Sequence, residues 1–537
     1  MKVKFLGAVG VVTGSCSWLH DAERGWSFLV DCGLSFEGAR AVDWAKRSWP
    51  FDAAKLQFVA LTHAHLDHCG LLPLLYKRGF KGPVYCTLET AEIAKLVLAD
   101  MARQDNALYS QADVDRIYWR PLPHDKPLAQ PHPVATDLFL RAYRSGHIVG
   151  AVSMAVLWGA LGPTQRSILF SGDVGPGAED CETSTLIRFP WHPAPAHYAV
   201  LESTYGAVVR PPEQRDPQSR IAALEALLAR TMETGGTLLL PAFAVGRTQD
   251  LLFDLHYAVA SNPGKLSNLE VVLDAKLAAQ VGPITARAFG VSEVTGKAGK
   301  VRLRWLGKQL FKRLGLDDSD PDDIDAAQAI VNQTFAATRR SEWTPVSRGN
   351  TIARNWRPLV QTLRESGLDR GTQPRGPTVI VCGSADGDSG AAAQWLPTLL
   401  TDARNAVAST GYSQAGSVMS QLGQLAASPA RERRRHTGLL HFGDKASVRV
   451  RDIAAELAQL KGLSAHADQS DLVQWFFYTR DGKDVAVAPR VFIQHGEDPQ
   501  RRALKSALED RAAQRGSALE VVCPELTMDA QWFNLEA

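Results

Sequence analysis

Thr62-His63-Ala64-His65-Leu66-Asp67-His68 decides the reading of this chain. Three imidazoles and a carboxylate fall within it, too dense a set of donors for an ordinary polar turn at the surface. Side chains alternate along an extended backbone, so positions 63, 65 and 67 are expected on one side of a strand end. A helix is expected directly afterwards, over Cys69 to Lys77, and the four donors then converge at a strand-to-helix corner. Imidazole and carboxylate without thiolate suit zinc in an open catalytic site, with manganese or iron as alternatives. A metal-dependent hydrolase is the reading this run supports unaided.

Outward from it, the first third of the chain alternates short β-rich runs with turns. Strands are expected over Lys2 to Gly7, Trp26 to Val30, Gln57 to Leu61, Pro83 to Thr87, Leu138 to Tyr143, Ser167 to Phe170 and Tyr198 to Leu201. Apolar spacing of three and four marks helices over Leu71 to Lys77 and Thr90 to Met101. Such an order suggests sheets covered by helices. Near residue 208 the pattern changes. Helices (Ala222 to Met232, Thr248 to Ala260) alternate with strands (Thr237 to Leu240, Val271 to Leu273, Thr378 to Val381, Asn405 to Ser409), which implies a parallel α/β unit. The stretch 290–376 is the hardest to interpret. The acidic patch from Asp317 to Asp325 reads as a solvated loop and helix start, and Arg431, Arg433, Arg434 and Arg435 as solvated surface. After about 463, strand (Arg490 to Gln494) and helix (Gln500 to Gln514) return.

The bulk properties narrow the class. A chain of 537 residues accommodates two or three domains, and 45% hydrophobic with 22% charged residues is ordinary for a globular protein. A net charge of +2 gives no global basic field, so a polyanion would have to meet a local patch. No apolar run is long enough to span a bilayer, and the N-terminus runs into a strand without a signal-like stretch. Seven scattered cysteines with no Cys-x-x-Cys pair argue against a disulfide framework or thiolate zinc site and for a reducing cytoplasm.

Two further candidates stand beside glycine after an expected strand: His147 in Ser145-Gly146-His147 and Asp173 in Ser171-Gly172-Asp173. A glycine there lets the backbone turn and aim the next side chain. His20, His124, His132, His192, His197, His256, His436 and His441 lack such a setting and read as surface or core histidines.

With Asp31 in Val30-Asp31-Cys32-Gly33, His147 and Asp173, the run at 63–68 resembles the motif series of the metallo-β-lactamase superfamily. Leu201-Glu202-Ser203-Thr204-Tyr205-Gly206 resembles motif A of its β-CASP nucleases, Leu463-Ser464-Ala465-His466-Ala467-Asp468 motif B, and Gln494-His495-Gly496-Glu497 motif C. Pro241-Ala242-Phe243-Ala244-Val245-Gly246-Arg247 is similar to the segment that opens the family's inserted domain. Val12-Thr13-Gly14-Ser15-Cys16 resembles the branch of the mRNA 3′-end-processing endonuclease and its prokaryotic relatives. The resemblance spans nearly the whole chain, with motifs in order.

It implies an α/β fold: a layered αββα sandwich formed by 1–207 and 463–537, with an α/β β-CASP domain inserted over 208–462. It implies two zinc ions (manganese or iron as alternatives), one held by His63, His65 and His147, the other by Asp67, His68 and His495, with Asp173 between them. Asp31 would orient a ligand. Asp67, Glu202 and His466 would act in the catalytic step, His466 protonating the leaving 3′-oxygen. Arg247 and Ser384 would contact substrate phosphate. The implied partner is RNA, single-stranded, cut endonucleolytically or also from the 5′ end to give 5′-phosphates and 3′-hydroxyls.

The run Cys382-Gly383-Ser384-Ala385-Asp386-Gly387-Asp388-Ser389-Gly390-Ala391 departs from the family's loop: Asp386 replaces a methionine and Ala391 an arginine. This weakens the usual phosphate grip. A DNA nuclease or small-substrate phosphodiesterase of the same fold therefore stays open beside the ribonuclease, as does a non-catalytic scaffold that binds RNA or protein.

Overall fold

The computed structural model describes residues 1–37, 40–41, 48–123, 127–160, 162, 164–178, 186–295, 300–335, 344–411, 413–414, 416–428, 430–433, 435–443, 446–480, 483–525 and 531–536. His124 and Arg434 lie outside the described residues.

Two seven-stranded sheets draw on both ends of the chain. In the first, Trp532–Asn534, Lys2–Phe5, Ser17–Asp21 and Trp26–Val30 pair antiparallel. Val59–Ala60, Val84–Cys86 and Trp119–Pro121 then continue it in parallel. The second places Glu520–Val522, Arg490–Ile493, Tyr198–Leu201 and Arg166–Phe170 in parallel, followed by antiparallel Val152–Trp158, Leu138–Arg144 and His132–Ala135. Val152–Trp158 is buried at every position. A strand that reads as a continuous apolar run is covered on both faces, as the centre of a layered sandwich requires. The fold is thus the α/β, helix-covered sandwich expected.

A third sheet of six strands is parallel throughout: Val360–Thr362, Glu270–Asp274, Thr378–Cys382, Thr237–Pro241, Ala406–Ser409 and Glu456–Gln459. Its two central strands, Thr378–Cys382 and Thr237–Pro241, are fully buried. The helices between them include Pro217–Thr234, Arg247–Ser261, Lys276–Phe289 and Gly390–Leu399. The first starts on Asp216, which accepts from the backbone N–H groups of Gln218 and Ser219, and stops on Gly235 at φ 62°.

The stretch 290–376 is well furnished with structure. It holds the hairpin Ser292–Thr295/Lys300–Leu303 and the helices Lys308–Leu314 and Pro321–Phe335. The acidic patch starts the second helix: Asp320 accepts from the N–H groups of Asp322 and Asp323, and Arg348 bridges Asp320, Asp322 and Asp323. Residues 303–307 also tie this unit to the sandwich. Arg188 donates its backbone N–H to the Trp305 carbonyl (2.9 Å) and Gly307 donates to Leu186 (2.6 Å). The buried Trp305 indole donates to Glu89 at 3.0 Å.

One local expectation is corrected. The backbone turns helical at Leu66, forming Leu66–Cys69, and a second helix follows at Leu72–Lys77. Asp67 therefore leaves a helical turn and does not share an extended face with His63 and His65. Three neighbouring N–H groups fix that turn by donating to its carbonyls: Leu34 to Leu66, Ser15 to Asp67 and Cys32 to His68, at 2.7–2.9 Å. Gly33 makes the approach possible, since a Cβ there would lie 1.7 Å from the Asp67 carbonyl oxygen.

Candidate metal centre

The ligand candidates sit on loops at the ends of sandwich strands, and backbone geometry aims them. Gly146 (φ 73°) precedes His147, and a Cβ there would strike the Pro190 backbone nitrogen at 2.7 Å. Gly172 (φ 56°) does the same for Asp173 against Thr62. Asp31 (φ 60°) and His495 (φ 54°) adopt the left-handed region without being glycine, a strain that persists only where surrounding contacts dictate it.

Seven side chains converge into two groups. His63, His65, His147 and Asp173 form one; Asp67, His68 and His495 form the other. In the first, His65 Nδ1 lies 3.2 Å from His63 Nε2 and 3.0 Å from His147 Nε2. Asp173 Oδ2 lies 3.4 and 3.5 Å from those two Nε2 atoms. In the second, His68 Nε2 is 3.1 Å from His495 Nε2, which is 3.3 Å from Asp67 Oδ2. Asp173 Oδ1 reaches this group too, 3.2 Å from His68 Nε2, and has no hydrogen-bond partner although it is buried.

These separations test the fit of a cation directly. Tetrahedral coordination with bonds of about 2.0–2.1 Å sets neighbouring ligand atoms roughly 3.3 Å apart. The donors are spaced accordingly, and an orphaned carboxylate oxygen lies between the groups. A divalent metal fits this donor set.

Behind nearly every ligand stands a partner for its other ring nitrogen. Asp31 Oδ2 lies 2.8 Å from His68 Nδ1, and Asp31 also accepts from the Thr62 N–H and hydroxyl. His147 Nδ1 donates to the Ala465 carbonyl (2.9 Å), His495 Nδ1 meets Thr204 Oγ1 (3.1 Å) and His63 Nδ1 meets Thr62 Oγ1 (3.2 Å). Such partners fix ring orientation and tautomer, leaving the inner nitrogen to face the centre. Burial and the neighbouring His63 push His65 down to about 3, and burial lowers His63 and His147 as well. Neutral imidazoles with available lone pairs are the ligand form. Burial also acts on His68, but Asp173, Asp31 and Asp67 outweigh it and raise that ring well above its ordinary value. A surplus of carboxylate around one imidazole is what a bound dication would neutralise.

A third group touches the first two through Asp173. His466 Nε2 lies 3.9 Å from Asp173 Oδ2, and its Nδ1 lies 3.2 Å from Glu202 Oε1. Buried Glu202 is held by the N–H groups of Val174 (2.7 Å) and Thr204 (3.1 Å). Burial alone would lower His466, but Glu202 and Asp173 more than offset it, and the ring stays cationic to higher pH.

Family profiles match at both ends of the chain. Residues 9–238 match the metallo-beta-lactamase superfamily, and residues 450–524 match the Zn-dependent metallo-hydrolase RNA specificity domain. The chain is a β-CASP member of the metallo-β-lactamase superfamily. This β-CASP chain is 28% identical over 513 residues to a protein of Thermus thermophilus named Ribonuclease TTHA0252, covering 95% of this chain and 96% of that one. It is 28% identical over 356 residues to the transcription termination factor FttA of Methanocaldococcus jannaschii, where the match covers 62% of this chain and about half (51%) of FttA. The FttA of Cenarchaeum symbiosum is 24% identical over 505 residues, 92% of this chain and 65% of the relative.

On the insert side of this β-CASP centre, Gly246 abuts Ile148, the residue after His147: a Cβ there would lie 2.8 Å from Ile148 Cγ2. Arg247 therefore sits at the rim, its guanidinium 4.8 Å from the ring of Phe243, which is 42% exposed. Burial lowers its pKa against the pull of Tyr205, Asp386 and Asp250. Ser384 (φ 67°) turns its hydroxyl into its own loop, where a Cβ on Gly390 would lie 2.3 Å from Oγ. The two unusual acids of that loop are structural anchors. Asp386 accepts from the Gln414 N–H (2.8 Å) and Asp388 from the Val418 N–H (3.0 Å).

Among the described residues, His20, His132, His192, His197, His256, His436 and His441 belong to none of these groups. His256 is buried against Trp356, and its Nδ1 donates to the Leu252 carbonyl (2.7 Å). The sequence did not single out Thr62, Thr204 or the Ala465 carbonyl; hydroxyls and carbonyls carry no spacing signal, and only the position of Thr62 and Thr204 beside motif residues marks them.

Proposed function

We propose that this chain is a metal-dependent ribonuclease that hydrolyses phosphodiesters of single-stranded RNA, leaving 5′-phosphate and 3′-hydroxyl ends, as an endonuclease with 5′-exonuclease capacity. The observation that carries the reading is the joining of two ligand groups and a histidine–carboxylate pair through the single residue Asp173. His63, His65 and His147 would hold one divalent cation, Asp67, His68 and His495 a second, and Asp173 would serve both. Zinc suits this donor set. Such a cation pair supplies an acidified water at neutral pH and offsets charge that builds on the phosphoryl oxygens.

The chain's own groups supply the rest. Glu202 orients His466 and keeps it protonated, so that His466 Nε2 gives its proton to the leaving 3′-oxygen. Asp31 keeps His68 facing the centre. Arg247, at the rim beside Phe243, meets a backbone phosphate. We read 1–207 and 463–537 as the catalytic lobe and 208–462 as the inserted lobe that forms the other wall of the substrate cleft. RNA as substrate is supported by the Thermus relative named a ribonuclease, which aligns along nearly the whole of both chains. The matched RNA specificity domain also contains His466 and His495. Buried free cysteines suit work in a reducing cytoplasm.

End-labelled RNA and DNA of the same sequence, incubated with wild type and His466→Ala, test the reading. RNA cleavage with 5′-phosphate products, lost in the variant, is the expected result. Cleavage of DNA alone, or equal RNA cleavage by both proteins, sinks it.

A further inference from the structure

Arg210 stands where the first connection between the lobes meets the second. Its backbone N–H donates to Asp468 Oδ2 at 2.9 Å, and its Nη1 donates to the carbonyl of His466 at 2.9 Å. Its guanidinium lies 4.7 Å over the ring of Tyr205, which stands edge-on to the His466 imidazole with ring centres 6.1 Å apart. The two residues thus bracket His466, one at its backbone and one beside its ring.

The remaining support on that segment is thin or serves other residues. The His466 N–H reaches only Ser464 Oγ, at 3.3 Å. The Ala467 N–H donates to Val174, and the Ala465 carbonyl is taken by His147. A guanidinium presents a rigid fork and loses little freedom on binding, so one well-placed arginine can hold a loop carbonyl that a flexible side chain would not. The groove behind the segment is lined by Arg210, Ser464, Ala465 and His147, so packing does not fill the space from that side.

We infer that Arg210 is a positioning residue for the proton donor: it fixes the His466 backbone, and through Tyr205 the ring, so that the imidazole meets the leaving oxygen. The inference rests on the reading of His466 as the leaving-group acid. It goes beyond that reading in placing part of the acid's alignment on the connection between the lobes.

Leaving-group chemistry separates positioning from general damage. A ribose 3′-oxygen needs a proton as it departs, whereas a p-nitrophenolate does not. Wild type, Arg210→Ala, Arg210→Lys and His466→Ala are compared on RNA and on bis(p-nitrophenyl) phosphate, with metal content measured for each. For Arg210→Ala the expected result is a fall in kcat on RNA of roughly tenfold or more, part of what a general acid contributes. KM on RNA and bound metal stay near the wild-type values, the activated diester is affected far less than RNA, and Arg210→Lys, whose flexible ammonium lacks the fork, recovers only part of the RNA activity. Equal losses on both substrates, loss of metal, a rise in KM at constant kcat, or no effect on RNA overturns the inference. The His466→Ala arm stands apart: if that variant loses both substrates equally, the reading of His466 as the acid fails, whatever Arg210 does.

Discussion

On the sandwich side of the cleft, polar groups are spent outward toward the centre. Asp31, Thr62, Thr204 and the Ala465 carbonyl each hold the far nitrogen of a ligand ring, so that the near nitrogens face one another at 3.0–3.2 Å. On the insert side they are spent inward. Asp386 and Asp388 hold backbone N–H groups of 414 and 418, Ser384 faces Gly390, and Asp274 takes Arg370 and the Trp395 indole. The difference separates two tasks. Metal chemistry needs donors fixed before the ion arrives, while a wall that only receives a strand needs shape and one or two cations at its rim.

The largest expected effect comes from the residue that joins the two ligand groups. Asp173→Asn keeps the shape but removes the charge shared between them, and it should abolish stoichiometric metal binding and lower RNA cleavage by at least about a thousandfold, beyond what loss of an outer partner causes. Metal analysis of the purified variant together with cleavage rates checks this. Full metal content with near-normal rate would break the idea that the sandwich side is built around this carboxylate. Asp31→Ala should cost less, about 10–100-fold in metal affinity, because it only frees the His68 ring to turn. A titration with competing chelator measures it. A loss as large as that of Asp173→Asn would mean that Asp31 acts as a ligand.

The insert side gives smaller effects and a different signature. Arg247→Ala should weaken RNA binding severalfold and reduce the slope of log K against log salt by about one, as removal of a single phosphate contact does. Ser384→Ala should leave both unchanged, since its hydroxyl is turned into its own loop. Binding isotherms at several salt concentrations compare the two. A salt slope untouched in Arg247→Ala would show that Arg247 does not meet a backbone phosphate.

Much of the sandwich side was legible in the sequence because its donors are contiguous. Four of them fall between His63 and His68, and His147 and Asp173 advertise themselves through the preceding glycines. His495, Glu202 and His466 are legible only through motif resemblance, since they lie 134 to 427 residues beyond His68. The turn at Leu66 was illegible for a local reason. His65 is no capping residue, and the turn is dictated by N–H groups from residues 15, 32 and 34. The stretch 290–376 reads as charged and irregular, because its short helices and hairpin are justified by what they touch elsewhere. Its one telling residue is Trp305, whose indole is buried on Glu89 of the sandwich.

The smallest effect on activity, and one that sharpens the same contrast, belongs to Asp250. Its Oδ1 is buried without a hydrogen-bond partner in the inserted unit. Burial pushes it up to about 7, against the pull of Arg220 and Arg247. A carboxyl whose folded value lies above its unfolded value of 3.8 binds its proton more tightly in the folded state. Its contribution is therefore fully present below about pH 4 and is lost as pH rises toward 7. The direction is opposite to that of Asp67 and Asp173, which the surrounding imidazoles hold below the usual carboxylate range and which lose their contribution as pH falls. Asp250→Asn replaces the titrating group with a neutral one. It should be more stable than wild type by up to a few kcal/mol at pH 8, with the difference narrower at pH 5 and closing only below about pH 4, and should leave metal content and RNA cleavage close to wild type. Urea unfolding of both proteins across that pH range measures the difference. A gain that is the same at pH 5 and pH 8 would show that Asp250 does not titrate there, and a loss at pH 8 would show that its charge is held by Arg220 and Arg247 as firmly as the sandwich side holds its own.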